Sequence, residues 1–277
     1  SLGNFPIYKV SDYANKVPSE WKKEAHFIPI WPQEAMWIGF NYPAKPLAIS
    51  VGAGMVNAVT GDKLSEGLSQ NPQNYIVIPP QPWLDGFKSS VGGKVYQFVG
   101  TELGKGETAE EQIFGSAEFG GIQFGLHTSK IPLVSSMRPH EHVLSAGFSY
   151  KGVVRTRGAI RTMGLGAGGS IRQKIYPDPY VTEKSVNEIW SDEPVTKVWV
   201  YLVHANDFRA ITGMEPPQSP VTYAHYQALG YPWFGLHDGS WGDTSGSEKI
   251  DNLKPVSGNP DQLFDEPKKD PSTDDLW

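Results

Sequence analysis

Proline and glycine break this chain at short intervals, and that spacing sets the range of folds open to it. The two residue types fill 53 of 277 positions, 23 proline and 30 glycine. Proline lacks the N–H that a helix interior or a sheet ladder needs, and glycine reaches turn conformations closed to other residues. Between them lie short apolar segments bounded by turn residues, the pattern of strands. Candidate strands are 27–31, 36–41, 47–51, 55–60, 75–78, 95–99, 121–127, 148–155, 159–163, 171–176 and 196–204. Ile122, Phe124 and Leu126 alternate with Gln123, Gly125 and His127, as in a half-buried strand. The segment 196–204 is apolar on both faces, which suits the middle of a sandwich. Gly52-Ala53-Gly54 predicts a hairpin turn.

Helix signals are few. Thr108-Ala109-Glu110-Glu111 is a capping box with Gly115 as its stop. Ser219-Pro220 opens a second helix, running to Leu229 with Gly230 beyond, and 183–190 offers a third turn. Strands outnumber helices and do not alternate with them. The expected fold is mainly β, an antiparallel β-sandwich or barrel with two or three short helices. Asn57-Ala58-Val59-Thr60-Gly61 and Arg209-Ala210-Ile211-Thr212-Gly213 share a pattern. That match permits two related β-domains, 1–145 and 146–237, followed by an arm at 238–277.

Charge sets the arm apart. Residues 238–277 hold ten acidic and four basic residues, the whole of the net charge of −6. Only Ile250, Leu253, Val256, Leu263, Phe264 and Leu276 there are Val, Ile, Leu or Phe, too few for a core of its own. The opposite bias lies at 151–174, where Lys151, Arg155, Arg157, Arg161, Arg172 and Lys174 meet no acidic residue.

The chain has no cysteine, which removes disulfides, zinc–thiolate and iron–sulfur sites and a cysteine nucleophile. No apolar run is long enough for a membrane-spanning helix. The first five residues carry no basic and apolar leader pattern. A secreted or surface location is expected over a cytoplasmic one.

Motifs for chemistry are sparse. Gly164-Leu165-Gly166-Ala167-Gly168-Gly169 spells G-x-G-x-x-G, yet no long helix fits before Pro177, so a hairpin loop between two basic strands is expected instead. His140 and His142 share a strand face as a weak metal pair without a third ligand nearby. Residues 238–248 have the oxygen-rich composition of calcium loops but not the EF-hand spacing. Asp85, Glu110, Glu111, Asp178 and Asp207 are carboxylates that a hydrolase could use, and nothing local selects a pair.

Trp83 and Trp233 stand in Pro/Gly turns, where an indole can be displayed to a sugar ring. The leading expectation is a non-enzymatic binding or self-assembling β-protein. It would recognise glycans or polyanions through Arg155, Arg157, Arg161, Arg172, Lys174, Trp83 and Trp233, with Phe264, Leu276 and Trp277 as assembly anchors. The alternatives are a carbohydrate-active hydrolase and a pore-forming toxin that inserts the uncharged hairpin 47–60. No cofactor is implied. The expected partner is a second copy of the chain, and an acidic chain with one basic stripe argues against nucleic acid.

Overall fold

The structure is a computed structural model and describes residues 4–134, 159–217 and 242–256. Its strands are β1 (Tyr8–Lys9), β2 (His26–Ile30), β3 (Ala35–Met36), β4 (Ile38–Gly39), β5 (Leu47–Ala53), β6 (Val56–Asn57), β7 (Ile76–Ile78), β8 (Trp83–Leu84), β9 (Gly86–Lys88), β10 (Lys94–Glu102), β11 (Ile122–Thr128), β12 (Thr162–Arg172) and β13 (Thr196–His204). Helices α1 (Ala109–Phe114), α2 (Val186–Ile189) and α3 (Ala205–Thr212), a 3-10 turn at Val10–Tyr13 and a last helical turn at Glu248–Asp251 complete it. The fold is mainly β. Every pairing of these strands is antiparallel except that of β13 with β2.

β13 is the hub. One of its edges takes β2 along 200–204. The other is shared, with β11 along 196–200 and β12 along 202–203. Two arms of sheet leave from that division. One runs β12, β10 and then β3 and β9; the other runs β11, β5 and then β6 and β7. Val51, Ile76, Phe98, Leu165 and Leu202 from both arms meet in one apolar cluster. Trp21, Phe27, Tyr201 and Phe208 form a second cluster. Leu202 and Tyr201 are neighbours on β13 and point to opposite faces, so the C-terminal half of β13, 201–204, is buried from both sides, while Thr196 and Lys197 at its start are exposed.

Local chemistry accounts for the turns and caps. The Thr108–Glu111 capping box forms in both directions, and Gly115 closes α1 with φ 84°. At α2 the Glu188 carboxylate accepts both the N–H and the hydroxyl of Ser185, at 2.8 Å and 2.7 Å. The hairpin turn falls at Gly54-Met55, one residue later than expected, with φ 58° and 62° between the paired Ala53 and Val56. Two positive φ values are what a two-residue hairpin turn of the right twist requires. The two similar pentapeptides also find an explanation. Gly61 N–H donates to the Asn57 carbonyl and Gly213 N–H to the Arg209 carbonyl, both at left-handed glycines. The first follows a hairpin strand and the second ends α3, so the likeness is one of turn chemistry.

The glycine-rich segment departs from expectation. Residues 164–169 lie inside β12, paired with β10, and form no loop. A Cβ on Gly166 would stand 2.4 Å from Val256 Cγ2 and 2.5 Å from the Glu107 carbonyl oxygen; one on Gly168 would stand 2.5 Å from Val99 Cγ2. Neighbouring segments approach the strand too closely for side chains, so glycine here serves packing rather than flexibility.

Three glutamines fasten the extended stretch after β12. Gln73, Gln81 and Gln173 each donate from and accept at their amides, tying the main chain of 173–178 to that of 73–85. Proline at 177 and 179 excludes a regular ladder there, and side-chain amides replace it. Residues 242–256 fold back on their own body. Ile250 and Leu253 enter the main cluster, and Asp243 holds the fully buried Lys88 at 2.9 Å. The described part of the acidic arm therefore docks in cis. The expected strand 148–155, the helix 219–229, the histidines His140 and His142, and the anchors Phe264, Leu276 and Trp277 lie outside the described residues.

Candidate functional site at the mouth of the main core

β2, β10 and β13 end close together at one end of the main core. Ile30 is the register partner of His204 across the parallel pair. Trp31 follows Ile30, and its ring packs edge-on to the His204 imidazole with centroids 6.4 Å apart. Residues 31–34 make a tight turn in which Glu34 N–H donates to the Trp31 carbonyl at 3.1 Å. Pro32 suits its second position, and Gln33 takes φ 64° at the third, where glycine is usual. Backbone strain of this kind concentrates at functional sites. The turn is clamped to β10: Gly100 N–H donates to the Glu34 carbonyl at 2.9 Å and Gln33 N–H to the Gly100 carbonyl at 2.7 Å. A Cβ on Gly100 would meet Ile30 and the Trp31 carbonyl at 2.9 Å, so only glycine permits this approach. Glu102 lies two residues further on the same face, roughly 7 Å along the strand.

The charged groups converge on Glu102. Its Oε1 lies 3.4 Å from Lys105 Nζ, 3.7 Å from His204 Nε2 and 3.8 Å from Arg161 Nη1. Arg161 is held in turn by Asp207, with Nε to Oδ2 at 2.8 Å and Nη2 to Oδ1 at 3.0 Å, a bidentate pair. His204 caps α3. Its Nδ1 accepts from Asn206 N–H at 3.1 Å, which assigns the imidazole proton of the neutral ring to Nε2, facing Glu102.

Burial acts oppositely on the two kinds of group. It lowers the His204 imidazole to about 4, and the nearby Arg161 charge adds to that, so the ring is neutral near pH 7. It raises the Glu34 carboxyl to about 7, with the Trp31 N–H at 2.8 Å from Oε2 opposing only part of the effect. Burial would raise Asp207 as well, but the Arg161 hydrogen bonds outweigh it and hold Asp207 below the usual carboxylate range. The mouth thus combines a carboxyl that keeps a proton up to neutral pH, a carboxylate ringed by donors, and a half-buried indole.

The described residues of the expected ligand site are dispersed. Arg161 precedes β12 and Arg172 ends it, roughly 35 Å apart at ordinary strand rise. Arg161 is committed to Asp207, Arg172 is exposed and Lys174 is half-buried. Trp83 pairs within the β4–β8 ribbon, and its indole N–H donates to Asp85 Oδ2 at 2.8 Å. Arg155, Arg157 and Trp233 lie outside the described residues.

The five carboxylates offered by the sequence serve structure. Glu110 accepts the N–H groups of 118–120, Glu111 closes the capping box, and Asp178 accepts from Tyr75, Trp190 and Tyr180. Asp85 takes the Trp83 indole and Asp207 takes Arg161. Glu34 and Glu102 escaped notice because they stand 68 positions apart in unremarkable local sequence. The one local signal was Trp31-Pro32, a turn opening just after an apolar strand.

Among the described residues, no group of three or more His, Asp or Glu is placed to hold a metal, and no helix is long and apolar enough to cross a membrane. The hairpin proposed for pore formation has β5 as its first strand, buried and paired on both edges. No protein-family model, no curated protein and no solved structure matches this chain, so its function must be argued from its own geometry.

Proposed function

We propose that the chain is a carbohydrate-active hydrolase with Glu34 as general acid and Glu102 as general base. The observation that carries this reading is the contrast between two acidic side chains at one mouth. Glu34 is protonated up to about pH 7, while Glu102 faces Lys105, Arg161 and the His204 Nε2–H. Hydrolysis of a glycosidic bond uses one carboxyl group to donate a proton to the leaving oxygen and a second to activate the water. Glu34 gives its proton to the leaving oxygen. Glu102 takes one from the water that attacks the anomeric carbon. Trp31 offers a ring against which a sugar can stack. The assay is reducing-end release from a panel of polysaccharides and oligosaccharides. Release by the parent that falls at least a hundredfold in Glu34→Gln and in Glu102→Gln is expected. Activity that survives both substitutions, or a parent inert on the whole panel, overturns the assignment.

The second reading is the non-enzymatic one, a binding or self-assembling protein. It draws support from 242–256, an acidic segment that this body holds against β9, the residues just after it and β12. Light scattering of the full chain tests assembly, and a monomer at all concentrations removes that branch.

A further inference from the structure

A cleft of about 470 Å³ opens between the turn after β6, the end of α1 and the helical turn at Glu248–Asp251. Asp62, Lys63, Gln112, Ile113, Phe114 and Lys249 line it. Ile113 packs from below on the main core, while Phe114, the last residue of α1, stays 41% exposed. Lys249 pairs with Asp62, and Lys63 is exposed, so the lining has one net positive charge. The main chain of Lys254 is bonded in both directions to the Gln112 amide, at 2.7 Å and 3.1 Å. The chain passes the cleft wall at Lys254 and is last described at Val256, whose N–H donates to the Ala167 carbonyl on β12 at 2.9 Å.

Twenty-one residues follow Val256, with six acidic and two basic side chains among them. Leu263-Phe264 is their first large apolar pair, ten positions past Lys254 and bracketed by Asp261 and Asp265. The eight residues from Val256 to Phe264 span roughly 26 Å when extended, enough to return to the cleft. We infer that this cleft is the seat of the chain's own C-terminal segment, with Phe264 laid against Phe114 and Ile113 and the flanking aspartates facing Lys63. An exposed phenylalanine beside a cation that has no ion pair among the described residues is the complement of an acidic segment with an apolar centre. Docking in cis is favoured by the short tether, which gives the segment a high effective concentration at this site.

The absence of cysteine makes a clean test available in the full chain. Ser116→Cys, exposed two residues past Phe114, is combined with Gln262→Cys and oxidised mildly at micromolar concentration. The reference pairs Gln262→Cys with Lys16→Cys, which is exposed beside the second apolar cluster. The expected result is an intramolecular disulfide that forms roughly tenfold faster than in the reference. Adding Phe264→Ser should remove that advantage. Equal rates in the two pairs overturn the inference, and so does an advantage that survives Phe264→Ser. A predominance of cross-linked dimer also overturns it and assigns the cleft to a second copy of the chain.

Discussion

Replacing Asp243 by asparagine should destabilise the protein more than any surface change on the same segment. Lys88 Nζ lies 2.9 Å from Asp243 Oδ2, with the lysine side chain 0% exposed and the aspartate 16%. Asp243 also accepts Gly93 N–H at Oδ2 and, at 2.9 Å, Ile175 N–H at Oδ1. Asparagine keeps one oxygen for Ile175 but turns an N–H₂ group toward the ammonium and the Gly93 N–H. A buried charge without its partner costs about 3–5 kcal/mol. At roughly 2–4 °C per kcal/mol for a chain of this size, the midpoint should fall by about 6–20 °C. Lys88→Met removes the stranded charge, so the double variant should recover part of the loss. Thermal and urea unfolding of the parent, both single variants and the double variant measure this. A loss below about 1 kcal/mol for Asp243→Asn would refute the reasoning. So would a double variant no better than that single one, because the cost would then not come from the unpaired ammonium.

Two further outcomes follow from the same kind of argument. His204 is held at about 4, so its contribution to stability is complete above pH 6.5 and is lost as pH falls from 6.5 toward 4, up to about 3 kcal/mol. His127, fully buried and likewise lowered, acts in the same direction. Glu34, raised to about 7, acts oppositely: its contribution is complete below pH 4.5 and is lost as pH rises to 7. Unfolding midpoints across pH 4–8 should show the acid limb flatten in His204→Asn, which keeps a capping acceptor. An unchanged acid limb would contradict the burial of that ring. The second outcome concerns β12. Gly166→Ala should cost more than 2 kcal/mol because its Cβ meets Val256 and Glu107, whereas Gly169→Ala, with nothing within 4 Å, should be nearly neutral. Equal tolerance at both sites would return the segment to a loop.

What the sequence determined alone is what depends on residues a few positions apart. The Thr108–Glu111 box, the Gly115 stop, the turn near Gly54 and the two apolar faces of β13 at 198–203 were legible because their chemistry spans four residues or a period of two. The weakness of the arm as an independent unit was legible from composition. What only the tertiary structure decided was which distant groups meet. The glycines of β12 read as a loop because the segments that crowd them, at Val99, Glu107 and Val256, are remote in sequence. α3 went unread, since its cap is a histidine and its first turn carries no helix signal stronger than Asp207. Glu34 is an ordinary acid until the 31–34 turn is clamped to Gly100 and burial raises its carboxyl, and Glu102 meets Lys105, Arg161 and His204 only in the folded chain. Desolvation and like-with-unlike charge placement are sums over the whole fold, so no window of sequence contains them.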